Sequence, residues 1–255
     1  MKRRQLKLWA SLAISVAACS MALSQGFYAE SSSSDEPEQV TTIYYMPKML
    51  KTIDGNGSSF TIFRFDKETM YTIKPEERTY TAVTFDEMKA MMTKARAGMD
   101  EFMAKQLESA TPEEKERIKE SMAMMSPQGA SRQPVQQVVA TGEHKTISGY
   151  ACEKYIVKRD GKEVETIWAT KNVGEFKSMK RDLQDISDRL ASTLGIKNGV
   201  DGWYKEIDGF PIQTESDGSV ETVTKLQRKS IPLSEFEVPA GYTKEEDEMM
   251  ENIEE

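Results

Sequence analysis

Apolar and polar positions alternate with a period of two through most of this chain, and the period switches to that of a helix in three places. Residues 40–45, 59–65, 69–73 and 78–81 are short runs rich in Val, Ile, Thr, Tyr and Phe. Between them stand Asp54-Gly55-Asn56-Gly57, Asp66-Lys67 and Lys74-Pro75-Glu76-Glu77, which are turn chemistry. Such spacing predicts strands joined by hairpins or tight loops, with sequence neighbours pairing as an antiparallel meander. The same signal returns at residues 135–139, 145–147, 152–158 and 162–169, the last two joined by Asp160-Gly161. It returns again at 210–215 and 220–228, around Ser216-Asp217-Gly218.

The helical period begins at Thr84-Phe85-Asp86-Glu87, which reads as a capping box, and Met88, Met92, Ala95, Met99, Phe102 and Leu107 recur behind it. A second box, Thr111-Pro112-Glu113-Glu114, has proline at the first helical position. Two helices, 86–108 and 112–125, are expected as an insertion spanning 86–126, followed by a loop over 126–134. A third helix is expected from Asn172 to about Gly195, with Phe176, Met179, Leu183, Ile186, Leu190 and Leu194 on one stripe that must pack on something apolar. The expected fold class is therefore α+β: a meandering antiparallel sheet with a helical insertion and a further helix, whose apolar stripes must be buried against it.

Ahead of the first strand-like residues, 26–29, the chain carries Lys2, Arg3, Arg4 and Lys7, then an apolar run from Leu8 to Leu23 ending in small residues. This is the pattern of a secretory signal peptide over 1–24, with cleavage before Gln25. The expected location is the periplasm, with no transmembrane span in the mature chain. Residues 25–243 are then expected as one domain, and 244–255 as an acidic, flexible tail. Removing residues 1–24, which carry four basic and no acidic side chains, takes the formal charge from −8 to −12. No basic stripe interleaved with aromatics offsets that charge, so nucleic acid is not an expected partner.

Of the two cysteines, Cys19 lies in the leader, where Val16-Ala17-Ala18-Cys19 also fits a lipobox. That alternative would anchor the protein to the envelope membrane through an acylated Cys19. Cleavage before Gln25 would leave Cys152 without an internal partner, and its apolar neighbours suggest a small buried hydrophobe.

The single histidine, His144, sits in a polar run and is expected in a solvated turn. One imidazole excludes most histidine-based triads and the usual zinc sites, and no phosphate loop or nucleophile elbow is present. Acidic pairs such as Asp182/Asp185 read as solvated helix positions. No enzyme activity, catalytic residue, metal site or cofactor is expected. Methionine is abundant, at 16 residues, and Met88, Met91, Met92, Met99, Met103, Met122, Met124 and Met125 fall in the insertion. Thioethers can bind Cu(I), but without accompanying His or Cys they more often fill irregular gaps or serve variable apolar partners.

The segments 65–76, 146–155, Gly209-Phe210-Pro211-Ile212 and 236–242 together resemble the bacterial family known as domain of unknown function 4412. That family is similar to the LolA- and RseB-type periplasmic lipoprotein carriers and sensors. The resemblance implies a curled antiparallel sheet, a LolA-like half barrel, whose helical insertion and further helix cover a concave apolar pocket. The leading expectation is thus a binder or carrier of an acyl chain, lipid or lipoprotein, with Met88, Met92, Met99 and Phe102 as lid and Trp168 as wall. Ordinary core packing competes for each of these residues. The alternative is a module that binds another envelope protein or senses stress. A continuous cavity under the helices favours the carrier; a filled core with an exposed apolar patch favours the interaction module.

Overall fold

Turn residues set the strand order. The computed structural model describes residues 23–109, 111, 114–115, 135–194 and 206–245. The strands are β1 (Leu23–Ser33), β2 (Val40–Met46), β3 (Met49–Ile53), β4 (Phe60–Arg64), β5 (Thr69–Lys74), β6 (Thr79–Thr84), β7 (Gln136–Ile147), β8 (Tyr150–Arg159), β9 (Lys162–Thr170), β10 (Phe210–Ser216), β11 (Ser219–Pro232) and β12 (Thr243–Lys244). Helix α1 (Phe85–Ser109) follows β6, helix α2 (Phe176–Leu194) follows β9, and a 3-10 turn, Leu233–Phe236, follows β11. Ser148-Gly149, Asp160-Gly161 and Asp217-Gly218 have both residues at positive φ, the two-residue turn whose twist matches that of paired strands. At the β2–β3 turn Pro47 is followed by Lys48 at φ 67°.

The twelve strands form one open sheet in the order β12-β6-β5-β4-β3-β2-β1-β11-β10-β9-β8-β7. Every pairing is antiparallel except β12 with β6. The molecule is α+β, with two meanders, β2–β6 and β7–β11, joined through β1. Phe27 of β1 lies opposite Tyr45 of β2 on one side and Arg228 of β11 on the other.

Alternation along the strands separates two faces. One face carries Phe27, Tyr45, Leu50, Cys152, Trp168, Phe210, Ile212 and Leu226, packed with Val173 and with Phe176 and Met179 of α2. Burying a side chain such as Phe176 contributes about 2 kcal/mol, which is what holds the helix down. Behind the first meander Met46, Ile62, Ile73 and Ile231 pack on Phe236 of the 3-10 turn. Arg64 ties that turn in: it grips Asp66 through Nε at 2.8 Å and Nη2 at 2.6 Å and donates from Nη1 to the Phe236 carbonyl at 3.3 Å. Behind the second meander Tyr155, Val157, Ile167 and Ala169 pack with Ile207.

Several expectations need correction. The stretch between the first two expected strands is not a single connection but holds β3, five residues whose apolar content is too short to stand out beside Pro47-Lys48. The runs 135–139 and 145–147 are one strand, β7, continuous through a register shift between Ala140 and His144 where Gly142 has φ 74°. His144 accordingly lies exposed on a strand and not in a turn. α2 opens at Phe176, four residues later than Asn172. The expected helix 112–125, the loop 126–134 and most of the tail lie outside the described residues. Of that second helix its capping box is described, with Thr111 N–H donating to Glu114 at 2.8 Å. β1 begins at Leu23, so cleavage before Gln25 would trim its first two residues.

Candidate functional site

α1 is positioned at its first turn. Thr84 N–H donates to the Glu87 carboxylate at 2.6 Å, and Glu87 N–H donates back to Thr84 Oγ1 at 3.1 Å, closing the box read from the sequence. The Thr84 amide hydrogen bond, ahead of that from its hydroxyl, holds the Glu87 carboxyl below the usual range. Phe85 is buried and its N–H donates to the Glu68 carbonyl at 2.9 Å. Beyond that anchor the helix contacts β6 and α2.

The residues expected to form a lid divide. Met88 and Met92, in the first half of α1, are half-buried. Met99 and Phe102 are 52% and 57% exposed. Trp168 is 9% exposed and belongs to the cluster beneath α2. Its ring is capped by two cations, Lys145 Nζ at 4.2 Å and Lys154 Nζ at 5.8 Å from the centroid. The structure therefore places Trp168 in the core and Met99 and Phe102 in solvent. Met122, Met124, Met125 and Cys19 lie outside the described residues.

Rings pack on one another between α2 and the sheet, beside a cavity of about 160 Å³ that Phe27, Tyr150, Val173 and Leu226 help to line. Phe27 meets Tyr45 at 5.3 Å and Phe210 at 5.4 Å, and Phe176 meets Phe210 edge-on at 5.4 Å. These are the separations of packed aromatic pairs. Cys152 is buried at 1% exposure, and burial pushes its thiol above the ordinary value, so it is a poor nucleophile there.

One residue was misread. Asp182 is not solvated: its side chain is 4% exposed. Its Oδ2 accepts from the Tyr45 hydroxyl at 2.9 Å and from the Lys48 N–H at 2.8 Å, while Oδ1 pairs with Lys48 Nζ at 2.8 Å. Burial, then the bond to Asp182, keep the Tyr45 phenol protonated far above its usual range. The carboxylate thus pins α2 to the β2–β3 turn and stabilises the left-handed backbone of Lys48. The signal available was its position: Asp182 falls between Met179 and Leu183 on the buried stripe. Among the described residues no three His, Cys, Asp or Glu side chains converge as a metal site would require, and no helix is long and apolar enough to cross a membrane.

These features define a class, a meandering open-sheet α+β domain that carries one helix pinned on its face and a second capped at its first turn. The chain belongs to the family described as Domain of unknown function (DUF4412), which matches residues 104–242. Among solved structures it is similar to PNGF-II in a C2 crystal form, with 11% identity and a TM-score of 0.40, covering 90% of this chain and 32% of that one. For PNGF-II in a P21 form the values are 9%, 0.39, 90% and 33%. The chain thus spans about a third of those proteins, and at such values the likeness extends to neither fold nor activity. No curated protein matches the sequence.

Proposed function

We propose that this protein is an exported, non-enzymatic interaction module of the cell envelope that receives an apolar segment of another envelope protein along α1. The observation that carries this reading is the exposure of Met99 and Phe102 on a helix anchored at its first turn, while the rings of the core pack on one another. Met99 and Phe102 are three residues apart on one helical face, the spacing an amphipathic partner segment can follow. Methionine suits a surface that must adapt to its partner. The LolA and RseB likeness belongs to the same proposal, in the manner of the sensor and not of the carrier. Periplasmic location rests on the leader over residues 1–24, with membrane attachment through Cys19 as its alternative.

The test is photo-crosslinking in cells from Met99 and Phe102, with Lys89 as the control position, followed by binding of the captured protein in purified form. Crosslinks confined to Met99 and Phe102, and at least tenfold weaker binding for Met99→Glu/Phe102→Glu, are expected. If neither position captures a protein while fatty acids bind saturably with affinity rising along the chain-length series, the carrier reading replaces this one.

A further inference from the structure

α2 has a second face. While Phe176, Met179 and Leu183 point to the core, Lys177, Lys180, Arg181 and Gln184 recur at the same spacing on the adjoining side. With Lys171 and the segment Ile207-Asp208-Gly209 they surround a cavity of about 310 Å³, floored by Val173, Phe176 and Ile207. That volume is at the small end of the range for ligand sites.

Its charge is unusual for this molecule. The chain has 42 acidic residues against 34 Lys and Arg, yet four cations face this one cavity with a single carboxylate, Asp208, among its walls. Lys171 is engaged, with Glu153 at 3.2 Å and Asp208 at 3.6 Å. Lys177 and Arg181 have no ion pair among the described residues. Lys180 is half-buried and its Nζ donates to the Ile207 carbonyl at 3.2 Å, so its charge is held at the wall with no carboxylate in direct contact, and only the longer-range pull of Asp208 acts on it. Burial moves this ammonium below its ordinary value, so a bound anion would restore what desolvation removes.

We infer that the cavity between α2 and Ile207–Gly209 binds an amphiphilic anion: a phosphate or carboxylate head held by Lys177, Lys180 and Arg181, with a short apolar tail over Val173, Phe176 and Ile207. Arg181 supplies the planar fork that grips two oxygens, and the lysines supply point charges. The site is separate from the exposed end of α1 and does not depend on it.

Calorimetric titration of the full chain with octyl phosphate, octanoate, inorganic phosphate and octyl glucoside, each below any micelle-forming concentration, tests this. Saturable binding is expected for the two anionic amphiphiles and weaker binding for inorganic phosphate; the neutral glucoside should not bind. Octyl phosphate preferred over octanoate identifies a phosphate head, the reverse a carboxylate. Affinity should fall as salt rises, since the rim is exposed. Lys177→Glu/Arg181→Glu should weaken binding at least tenfold, and Lys162→Glu, at the far end of β9, should leave it unchanged. Lys177→Gln/Arg181→Gln serves as the second variant, with circular dichroism reporting the fold. The inference is overturned if neither anion saturates the folded protein, if the glucoside binds equally well, or if the double variants bind as tightly as the native chain.

Discussion

Asp182 shows how much one buried carboxylate can organise. Tyr45 is fully buried, so its hydroxyl has no solvent to turn to if Asp182 is removed. Asp182→Ala should therefore cost about 3 kcal/mol, the scale for stranding buried polar partners, while Asp182→Asn, which still accepts a hydrogen bond, should cost less. Urea unfolding with matched m-values measures both. A loss for Asp182→Ala of under about 0.5 kcal/mol would show the pin to be incidental, since it would match an ordinary surface substitution. At this scale the sequence was only partly legible. The Thr84–Glu87 box could be read because it is local, spanning three residues. The burial of Asp182 could not, because its partners lie more than 130 positions away.

Elements were more readable than residues, since period and turn chemistry act over a few positions. The hairpins at Asp160-Gly161 and Asp217-Gly218 and both described helices follow that logic. β3 was missed because its five residues are bounded by a proline turn and a glycine loop. Two glycines make opposite predictions about their elements. A Cβ at Gly26, inside β1, would lie 2.2 Å from the Tyr45 carbonyl oxygen and 2.8 Å from Met46 Cγ, and the sheet backbone cannot yield that much. Gly26→Ala should destabilise by about 3 kcal/mol or more. A Cβ at Gly98, in α1, would meet nothing within 4 Å. Gly98→Ala should stabilise the helix by about 0.5–1 kcal/mol. Thermal unfolding of the pair checks this, and equal midpoints would remove the distinction between the crowded strand and the open helix.

For the whole molecule, the feature least visible in the sequence is the pairing of β1 with β11. Alternation indicates which face a strand presents, but not a partner so distant in the chain. Strand pairing joins the two meanders only there, so a chain ending at Gly218 should lose cooperative unfolding and expose β1 as an unpaired edge. Adding residues 219–245 as a separate peptide should restore a single transition, followed by circular dichroism; a truncated chain that unfolds cooperatively by itself would contradict this. During synthesis the same seam acts as a timer. β1 emerges roughly 190 residues before its second neighbour, about 10–40 s at ordinary elongation rates, and the sheet cannot close in that interval. The first meander can pair within that time, but a sheet still lacking its β1–β11 seam is easier to thread through an export channel than a completed one. The leader proposed for residues 1–24 would reach that channel before there is a folded body to refuse.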